Sequence, residues 1–449
     1  MELLESRRLT GPSLIFDRPG PILDVLCSAD EADHLIPVWQ ANVARMLVKL
    51  GWDVVEFAAR KLQGGVSLAF SAPVDALYAA SEINDWAWLA SAHQLGEDVE
   101  LPDFEVTAEA IRASAAEESN PELLRLLADA AEHGKTVLWD DDEVSVGLGS
   151  GSRTWPVRDI PNTLQWEQFH DVPIGLVTGT NGKTTTVRLA KQIAQTAGRN
   201  VGLTSTDWIA VNYRIIDRGD WSGPGGARAV LRERDVDLAI LESARGGLLR
   251  RGLGVNRATA ALITNIAEDH LGDFGSGNLE ELLNIKWVIS RAVCESGKLI
   301  LNADDPLLRD KAREYDGDVV WFSLHADSAF IASAVAQGAT CFVLDGYELL
   351  KVEHDERTGI CRSIDIPITL GGTARHNVAN SLAAAALTYC LGMPLDAIAN
   401  GLKTMAQDGN PGRGNIHDVG GINVLIDFAH NPAAMQALFD MAQIGRAHV

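Results

Sequence analysis

The segment GTNGKTT at residues 179–185 constrains the fold more than any other part of the chain. The apolar run at 174–177 before it predicts a strand, and the pattern at 184–197 after it predicts a helix. A glycine-containing turn between a strand and a helix is typical of a phosphate-binding loop. Glycine lets backbone N–H groups close around phosphate oxygens, and the helix N-terminus adds positive charge. The residues expected to surround the phosphates are Gly179, Thr180, Asn181, Gly182, Lys183, Thr184 and Thr185.

Two side chains of this loop carry specific chemistry. The Lys183 ammonium would reach the β- and γ-phosphates of a nucleotide, and the Thr184 hydroxyl would bind Mg²⁺. Val177 stands where the longer form of the motif has its first glycine, so this is a shorter variant of the loop. The sequence therefore predicts a magnesium nucleotide as a ligand.

Glu242 follows a second predicted strand, at 238–241. A carboxylate at the end of a buried strand is costly unless a cation meets it, and Mg²⁺ is the natural cation beside a nucleotide. The alternative is an ion pair between Glu242 and Arg245 or Arg250.

Three further segments place polar residues at the end of a predicted strand or at the start of a predicted helix. Asp269 and His270 come after the predicted strand at 260–263, where they could serve a metal or a substrate. Asn302 follows the predicted strand at 298–301, and the segment 375–377 precedes an alanine-rich helix. Both are interpreted as nucleotide contacts, with helix capping as the alternative. Because the carboxyl ends of parallel strands meet at one edge of a sheet, these groups are expected to converge.

The chain divides into three predicted units. Residues 1–168 mix helices and strands and contain no catalytic constellation, and from residue 173 strands alternate with helices, which predicts a mostly parallel sheet. A composition break at 408–412 indicates a linker. The predicted boundaries are 1–168, 169–408 and 409–449.

Charge and cysteine usage exclude several classes of protein. Lysine and arginine number 38 against 61 aspartate and glutamate residues, a formal net charge of −23, which argues against nucleic-acid or anionic-membrane binding. The five cysteines are scattered, which predicts buried free thiols in a reducing cytosol. No signal peptide and no apolar stretch of about 18 residues is found in the sequence, so we expect a cytoplasmic protein without a membrane span.

Six motifs occur in an order that resembles the Mur ligase family. They are GTNGKTT, the glutamate after the second strand, TNxxxDH at 264–270, NADDP at 302–306, HNxxN at 376–380 and DFAHNP at 427–432. The resemblance covers about residues 171–442. GDWSGP at 219–224 and ESARGGLLRRGLG at 242–254 are most similar to the Mur-like part of the cyanophycin synthetase branch, and residues 4–12 resemble the beginning of that branch's N-terminal domain. The intervening ATP-grasp module of that branch has no counterpart here.

The resemblance implies a fold and an activity. The fold is α/β: a small α+β N-terminal domain, a P-loop central domain with a mostly parallel sheet, and the start of a Rossmann-like C-terminal domain. The activity is that of an ADP-forming carbon–nitrogen ligase that uses ATP and Mg²⁺. ATP phosphorylates a substrate carboxylate, and the amine of an amino acid attacks the acyl phosphate. The implied partners are a small-molecule amino acid and a peptide or amino-acid carboxylate, with arginine and an aspartyl side chain as the cyanophycin-like case. A homo-oligomer is left open.

The resemblance also implies roles for individual residues. Thr184, Glu242 and His270 would coordinate Mg²⁺. Lys286 stands about where Mur ligases carry a carbamylated lysine, although a lysine on an amphipathic helix is more simply solvated. The residues expected near the nucleotide are Asn265, Asn302, His376, Asn377 and Arg413, and those expected to face the incoming amine are Asp427 and His430.

The sequence leaves two other functions open, and its C-terminus departs from the family pattern. The chain could be a P-loop phosphotransferase or a non-catalytic nucleotide-binding companion protein. The third domain of the family is well over a hundred residues long, and residues 444–449 look like translated adapter sequence. We therefore expect 409–449 to be a truncated start of that domain.

Overall fold

A computed structural model describes residues 1–53, 55–269, 272, 277–354 and 356–446, without the side chains of 444–446. His270, a predicted Mg²⁺ ligand, and residues 447–449 of the segment expected to be artefactual lie outside the described residues.

The N-terminal region combines antiparallel strands with helices. Its strands are β1 (Glu2–Leu9), β2 (Gly20–Leu26), β3 (Phe57–Leu62), β4 (Gly65–Phe70), β5 (Val137–Trp139), β6 (Glu143–Val146) and β7 (Arg153–Pro156). Its helices are α1 (Ala29–Leu50), α2 (Leu77–Gln94), α3 (Phe104–Glu118) and α4 (Pro121–Glu132). One sheet has the order β1-β2-β4-β3 and a second has the order β5-β6-β7. Helix α1 begins at a capping box formed by Ser28 and Glu31 and ends at Gly51, whose φ of 74° suits glycine.

The central region alternates strands with helices, as the sequence predicts. Its strands are β8 (Ile174–Thr178), β9 (Val201–Thr204), β10 (Trp208–Val211), β11 (Arg214–Arg218), β12 (Leu238–Glu242), β13 (Ala258–Ile263), β14 (Val293–Asn302), β15 (Val319–Ser323), β16 (Cys341–Asp345), β17 (Glu348–Glu353) and β18 (Glu356–Arg362). Its helices are α5 (Lys183–Thr196), α6 (Pro224–Leu231), α7 (Arg245–Arg250), α8 (Leu279–Trp287), α9 (Pro306–Lys311), α10 (Ala329–Ala336), α11 (Arg375–Cys390) and α12 (Leu395–Thr404).

Within the described residues these strands form one sheet of eleven, in the order β11-β10-β9-β12-β8-β13-β14-β15-β16-β17-β18. The seven strands from β9 to β16 in this order pair in parallel, and antiparallel strands extend both edges. The predicted fold class, α/β with a large and mostly parallel central sheet, is confirmed. The domain boundaries at 168 and 408 stay predictions.

Hydrophobic cores cover both faces of the central sheet. In β8, Leu176 packs into the core that contains α6 and α8, and its neighbour Val177 packs into the opposite core with α5, α11 and α12. The alternation follows from the two-residue period of a strand. Each fully buried side chain of this size contributes roughly 1.5–3 kcal/mol, so the two cores hold the carboxyl ends of the strands in fixed register.

The C-terminal region begins with a hairpin. It contains β19 (Arg413–Val419) and β20 (Ile422–Asp427), followed by α13 (Pro432–Arg446). The preceding linker is anchored, because Asn410 is fully buried and its Nδ2 donates to Thr185 Oγ1 at 3.2 Å. The hairpin is therefore fastened to the first turn of α5.

The N-terminal region packs on helices that reach the carboxyl edge of the central sheet. Arg7 Nη2 donates to Leu249 O of α7 at 3.2 Å, and Arg232 Nη1 lies 2.6 Å from Asp140 Oδ2. Arg291 Nη1, just beyond α8, donates to Ser13 O at 2.7 Å. These contacts join the N-terminal region to α7 and to the residues that follow α6 and α8.

The five cysteines are free thiols, as predicted, but Cys294 and Cys390 are only partly buried. Among the described residues, the helices are all too short or too polar to cross a bilayer.

Candidate active site

The glycines of the phosphate loop occupy positions that no other residue fits. Gly179 has φ 141°, and a Cβ there would lie 1.9 Å from Thr264 Oγ1. Gly182 has φ 85°, and a Cβ there would lie 2.2 Å from Asn380 Oδ1 on α11. Both the backbone angles and the neighbouring side chains therefore require glycine at these turns.

The loop is braced by the segment that follows β13. Thr264 Oγ1 donates to Asn181 O at 2.6 Å. The Asn265 amide accepts from Asn181 N and donates to Asn181 O, each at 3.0 Å. Thr180 N donates to Asn265 O at 2.9 Å. Asn265 thus shapes the loop through its own amide, and its contact with a nucleotide stays a prediction.

Lys183 begins α5 and points back along the loop. Its Nζ donates to Gly179 O at 3.0 Å and to Thr180 O at 2.9 Å. Burial lowers the pKa of the Lys183 ammonium, and the nearby charge of Glu242 opposes this effect. A charge held in such a weakly hydrated position interacts strongly with a phosphate.

Glu242 ends β12 as a buried carboxylate that is 2% exposed. Its Oε1 accepts from Thr184 Oγ1 at 3.3 Å, whereas its buried Oε2 has no hydrogen-bond partner among the described atoms. Burial raises the pKa of the Glu242 carboxyl, and Lys183 acts in the other direction. The alternative, an ion pair with Arg245 or Arg250, is absent from the described contacts of Glu242.

Lys286, near the end of α8, is a buried lysine. It is 2% exposed, and its Nζ donates to Gly179 O at 2.8 Å. Burial holds the pKa of the Lys286 amine well below its usual value, and the charge of Lys183 lowers it further. The simpler interpretation, a solvated lysine, is wrong.

The C-terminal region faces the phosphate loop. The amides of Asn181 and Asn431 exchange hydrogen bonds of 3.2 Å and 2.9 Å across 250 residues of sequence. His430 Nε2 lies 3.6 Å from Asp269 Oδ1, and Arg413 stacks over the Phe428 ring at 4.4 Å. DFAHNP is therefore positioned against the loop.

The segments beyond β14 and before α11 are interpreted from the sequence as nucleotide contacts, with helix capping as the alternative. Asp305 caps α9, but Asn302 donates to Thr264 O at 2.9 Å and so helps to form the site. His376 is the second residue of α11 and its buried Nδ1 has no partner among the described atoms, so it is not a cap. Asn377 donates to Ile368 O at 2.8 Å and accepts from Asn380, which leaves its amide engaged within the protein.

These side chains border one cavity of about 640 Å³. The predicted residues that line it are Thr180, Asn181, Gly182, Lys183, Thr184, Thr185, Glu242, Asn265, Lys286, Asn302, His376, Asn377, Arg413, Asp427 and His430. Gly179 lies behind the lining, where its carbonyl accepts from both Lys183 and Lys286. Pockets of this size hold small-molecule ligands.

The cavity offers a position suited to a divalent cation. Glu242 Oε2 is buried without a partner, and the Thr184 hydroxyl lies beside the same carboxylate. A hard cation with oxygen ligands such as Mg²⁺ fits this pair. In the described part of the chain, no group of three or more His, Cys, Asp or Glu side chains could hold a metal ion by itself.

Residues 177–388 match the family model of the Mur ligase middle domain. The chain contains a Mur ligase middle domain. The resemblance predicted from the motifs is confirmed, and the phosphate loop, Glu242 and Lys286 all lie within the matched residues.

Known proteins are similar to this chain over a limited share of their length. Cyanophycin synthetase from Crocosphaera subtropica is 36% identical over 277 residues, which are 60% of this chain and 31% of that protein. Cyanophycin synthetase from Geminocystis herdmanii is 37% identical over 269 residues, with 60% and 31% covered. MurF from Acinetobacter baumannii aligns with a TM-score of 0.45 and 20% identity, over 60% of this chain and 54% of that one. The chain spans 31% of the length of these two cyanophycin synthetases.

Several residues that line this cavity were not among the predicted site residues. Thr206, Asp220, Arg245 and Asn380 also line it. Thr206 lies two residues beyond β9, at the same edge of the sheet as Glu242. Recognising 201–204 as a strand would have identified it. Asn380 is one helical turn from His376, a spacing that places two residues on one face of a helix.

Proposed function

We propose that this chain is an ATP-dependent, ADP-forming amide ligase that activates a carboxylate as an acyl phosphate and couples it to the amine of an amino acid. One observation carries the proposal: Lys183 of the phosphate loop borders the same cavity of about 640 Å³ as Asp427 and His430 of the C-terminal region. A nucleotide and an amine acceptor would thus meet in one space. The cyanophycin synthetases that are 36–37% identical to this chain support a ligase.

In the first step a substrate carboxylate oxygen attacks the γ-phosphorus of ATP. The bond from that phosphorus to the bridging oxygen breaks, ADP leaves, and an acyl phosphate forms. The Lys183 ammonium balances the charge of the moving phosphoryl group, and the backbone N–H groups at the start of α5 bind phosphate oxygens. Positioning and charge stabilisation account for the rate, because the step needs no covalent bond to the protein.

Thr184 and Glu242, together with His270 by family resemblance, would hold Mg²⁺ beside the phosphates. When bound, Mg²⁺ would offset negative charge on the β- and γ-phosphate oxygens. The unpartnered Glu242 Oε2 supports this role for the carboxylate. Its burial keeps water from competing for the cation.

Lys286 would carry a carbamate formed with CO₂. Only the neutral amine of lysine attacks CO₂, and the lowered pKa of Lys286 favours that form. The new N–C bond forms as the nitrogen loses a proton to solvent, and the product is an anion that would attract the neighbouring Lys183 ammonium. The carbamate would then contribute a further oxygen anion to the magnesium site.

In the second step the amine attacks the acyl carbon, and the tetrahedral intermediate releases phosphate and leaves an amide. His430 Nδ1 lies 2.8 Å from Phe428 O, and since a carbonyl only accepts, Nδ1 would be the donor of this hydrogen bond. Nε2 is then the ring nitrogen that takes the proton from the amine. Asp427, which ends β20 and lines the cavity, would orient the ammonium group of the incoming amino acid.

For the substrates, we propose arginine as the amine and an aspartyl side chain as the carboxylate. Besides Glu242, the cavity is lined by three carboxylates, those of Asp220, Asp269 and Asp427, and a cationic amino acid complements them. The similarity to cyanophycin synthetases and the ESARGG segment at 242–247 support the same pair.

The test is release of ADP and phosphate from ATP and Mg²⁺ in the presence of an aspartyl peptide, with and without arginine. The proposal predicts that arginine greatly increases both products in equal amounts and that the peptide gains the mass of one arginine less water. A phosphotransferase would instead give ADP and a stable phosphorylated acceptor without arginine. A non-catalytic companion would bind nucleotide and release neither product.

A further inference from the structure

One carboxylate joins the phosphate-loop helix to the C-terminal region. Asp207, three residues beyond β9, lies with its Oδ2 2.5 Å from Arg188 Nη2 and 3.7 Å from Arg413 Nη2. Arg188 belongs to α5 and Arg413 begins β19, so a single anion is shared by two guanidinium groups from distant parts of the chain.

Arg188 is held in place on several sides. Its side chain is 3% exposed, and Nη1 donates to Asn410 Oδ1 at 3.1 Å. Its guanidinium carbon lies 4.2 Å from the centre of the Trp208 ring. Burial lowers the pKa of Arg188 to about 10, so the group stays charged at neutral pH. Asp207 is therefore anchored from one side by a fixed cation.

Arg413 is held on two sides while its charge reaches the phosphate loop. Phe428 packs against one face of the guanidinium, and Asp207 lies at its edge. Burial is the main cause of the shifted pKa values of Lys183 and Glu242, and the Arg413 charge also acts on both. The Arg413 guanidinium is thus within electrostatic range of Lys183 and Glu242, the two residues expected on either side of the bound phosphates.

We propose that Asp207 is a positioning residue that holds Arg413 toward the phosphates of the bound nucleotide. The inference rests on the proposed function, and it takes Arg413, which lines the cavity, as a group that binds those phosphates. Without the carboxylate, the two guanidinium groups would repel each other, and Arg413, which is the more exposed of the two, would move. Asp207 itself touches neither nucleotide nor substrate in this account.

The experiment is a double-mutant cycle on the full chain, with Mg²⁺ and a non-hydrolysable ATP analogue, measured by calorimetry. Asp207→Asn and Arg413→Gln are each expected to raise the Kd about fivefold or more, and the double variant is expected to bind no more weakly than Arg413→Gln alone. Asp207→Glu should restore most of the affinity, because it keeps the charge. Melting temperatures of all variants are recorded in the same buffer.

Asp237→Asn is the matched control, because Asp237 also pairs with an arginine, Arg199, at 3.0 Å and is 34% exposed against 36% for Asp207. Its Kd should equal that of the unaltered chain. Fully additive effects of Asp207→Asn and Arg413→Gln would overturn the inference, since Asp207 would then act through Arg188. An unchanged or lower Kd in Asp207→Asn would also overturn it.

Amide formation is not part of this measurement, so the inference and the proposed ligase activity fail separately. If the variants show the expected coupling in analogue binding but the chain forms no amide, the role of Asp207 is supported and the proposed ligase activity is refuted. Loss of all nucleotide binding in the unaltered chain would refute both.

Discussion

Replacing Glu242 by glutamine should stabilise the metal-free protein and weaken its response to magnesium. Glu242 is 2% exposed, one of its oxygens has no partner among the described atoms, and burial raises its pKa. An ionised carboxylate in this position costs free energy of folding, whereas the glutamine Oε1 can still accept from Thr184. Relief of about 1–2 kcal/mol would raise the melting temperature by roughly 2–8 °C for a domain of this size.

The effect should depend on pH in a defined direction. Below the ordinary glutamate value of 4.5 the carboxyl is protonated in both the folded and unfolded states, so the variant and the unaltered chain should match. As pH rises above 4.5, the unfolded state loses the proton that the folded state still retains. The unaltered chain therefore loses stability relative to the variant, and the loss continues until the pH reaches the raised folded pKa.

Thermal unfolding in EDTA and in Mg²⁺, at pH 4 and pH 7.5, measures both effects. Asp305→Asn is the contrasting control: Asp305 is 8% exposed but its carboxylate accepts from Ile266 N at 2.7 Å and Leu307 N at 2.9 Å. Its amide would face one of these donors, so this variant should be destabilised by about 1–3 kcal/mol. A lower melting temperature for Glu242→Gln in EDTA, or an undiminished gain from Mg²⁺, would refute the reasoning.

Three further predictions concern the phosphate loop and its neighbours. Lys183→Ala should reduce ATP turnover by about a hundredfold or more, because it removes roughly 3 kcal/mol of charge stabilisation. Lys191 is on the same helix but does not line the cavity, so Lys191→Ala should leave turnover unchanged. Equal turnover in the two variants would show that Lys183 has no part in the mechanism. Gly182→Ala should abolish binding of the ATP analogue, since the alanine Cβ would lie 2.2 Å from Asn380 Oδ1. Circular dichroism should show that the variant keeps its fold. Normal affinity for the analogue would mean that the loop does not close around phosphate. Lys286→Met should remove any dependence of turnover on added bicarbonate together with most of the activity, and activity that stays bicarbonate-dependent in this variant would place the carbamate elsewhere.

The sequence was sufficient for the features that depend on local order. A strand, GTNGKTT and a helix predict the loop, and polar residues at successive strand ends predict where Glu242 and Asn302 lie. Parallel pairing then brings them together, because the carboxyl ends of such strands share an edge. This is why the predicted residues in the described part of the chain converge on one cavity.

Features that depend on long-range packing were not visible in the sequence. Lys286 is buried where it contacts Gly179, 107 residues away in the sequence. A lysine on an amphipathic helix would normally be solvated, so nothing in the sequence indicated this burial. The linker residue Asn410 is buried because it bonds to Thr185, although its glycine- and proline-rich surroundings are typical of an exposed turn. The hydrogen bonds between the Asn265 amide and the backbone of Asn181 likewise join segments 84 residues apart.

Transfer of an oxygen atom from substrate to phosphate tests the central claim most directly. The aspartyl peptide is labelled with ¹⁸O in its side-chain carboxylate and incubated with ATP, Mg²⁺ and arginine, and the released phosphate is analysed by mass spectrometry. If the carboxylate attacks the γ-phosphorus, one labelled oxygen appears in phosphate for each amide formed. Phosphate that contains no ¹⁸O while amide accumulates would contradict the acyl phosphate mechanism.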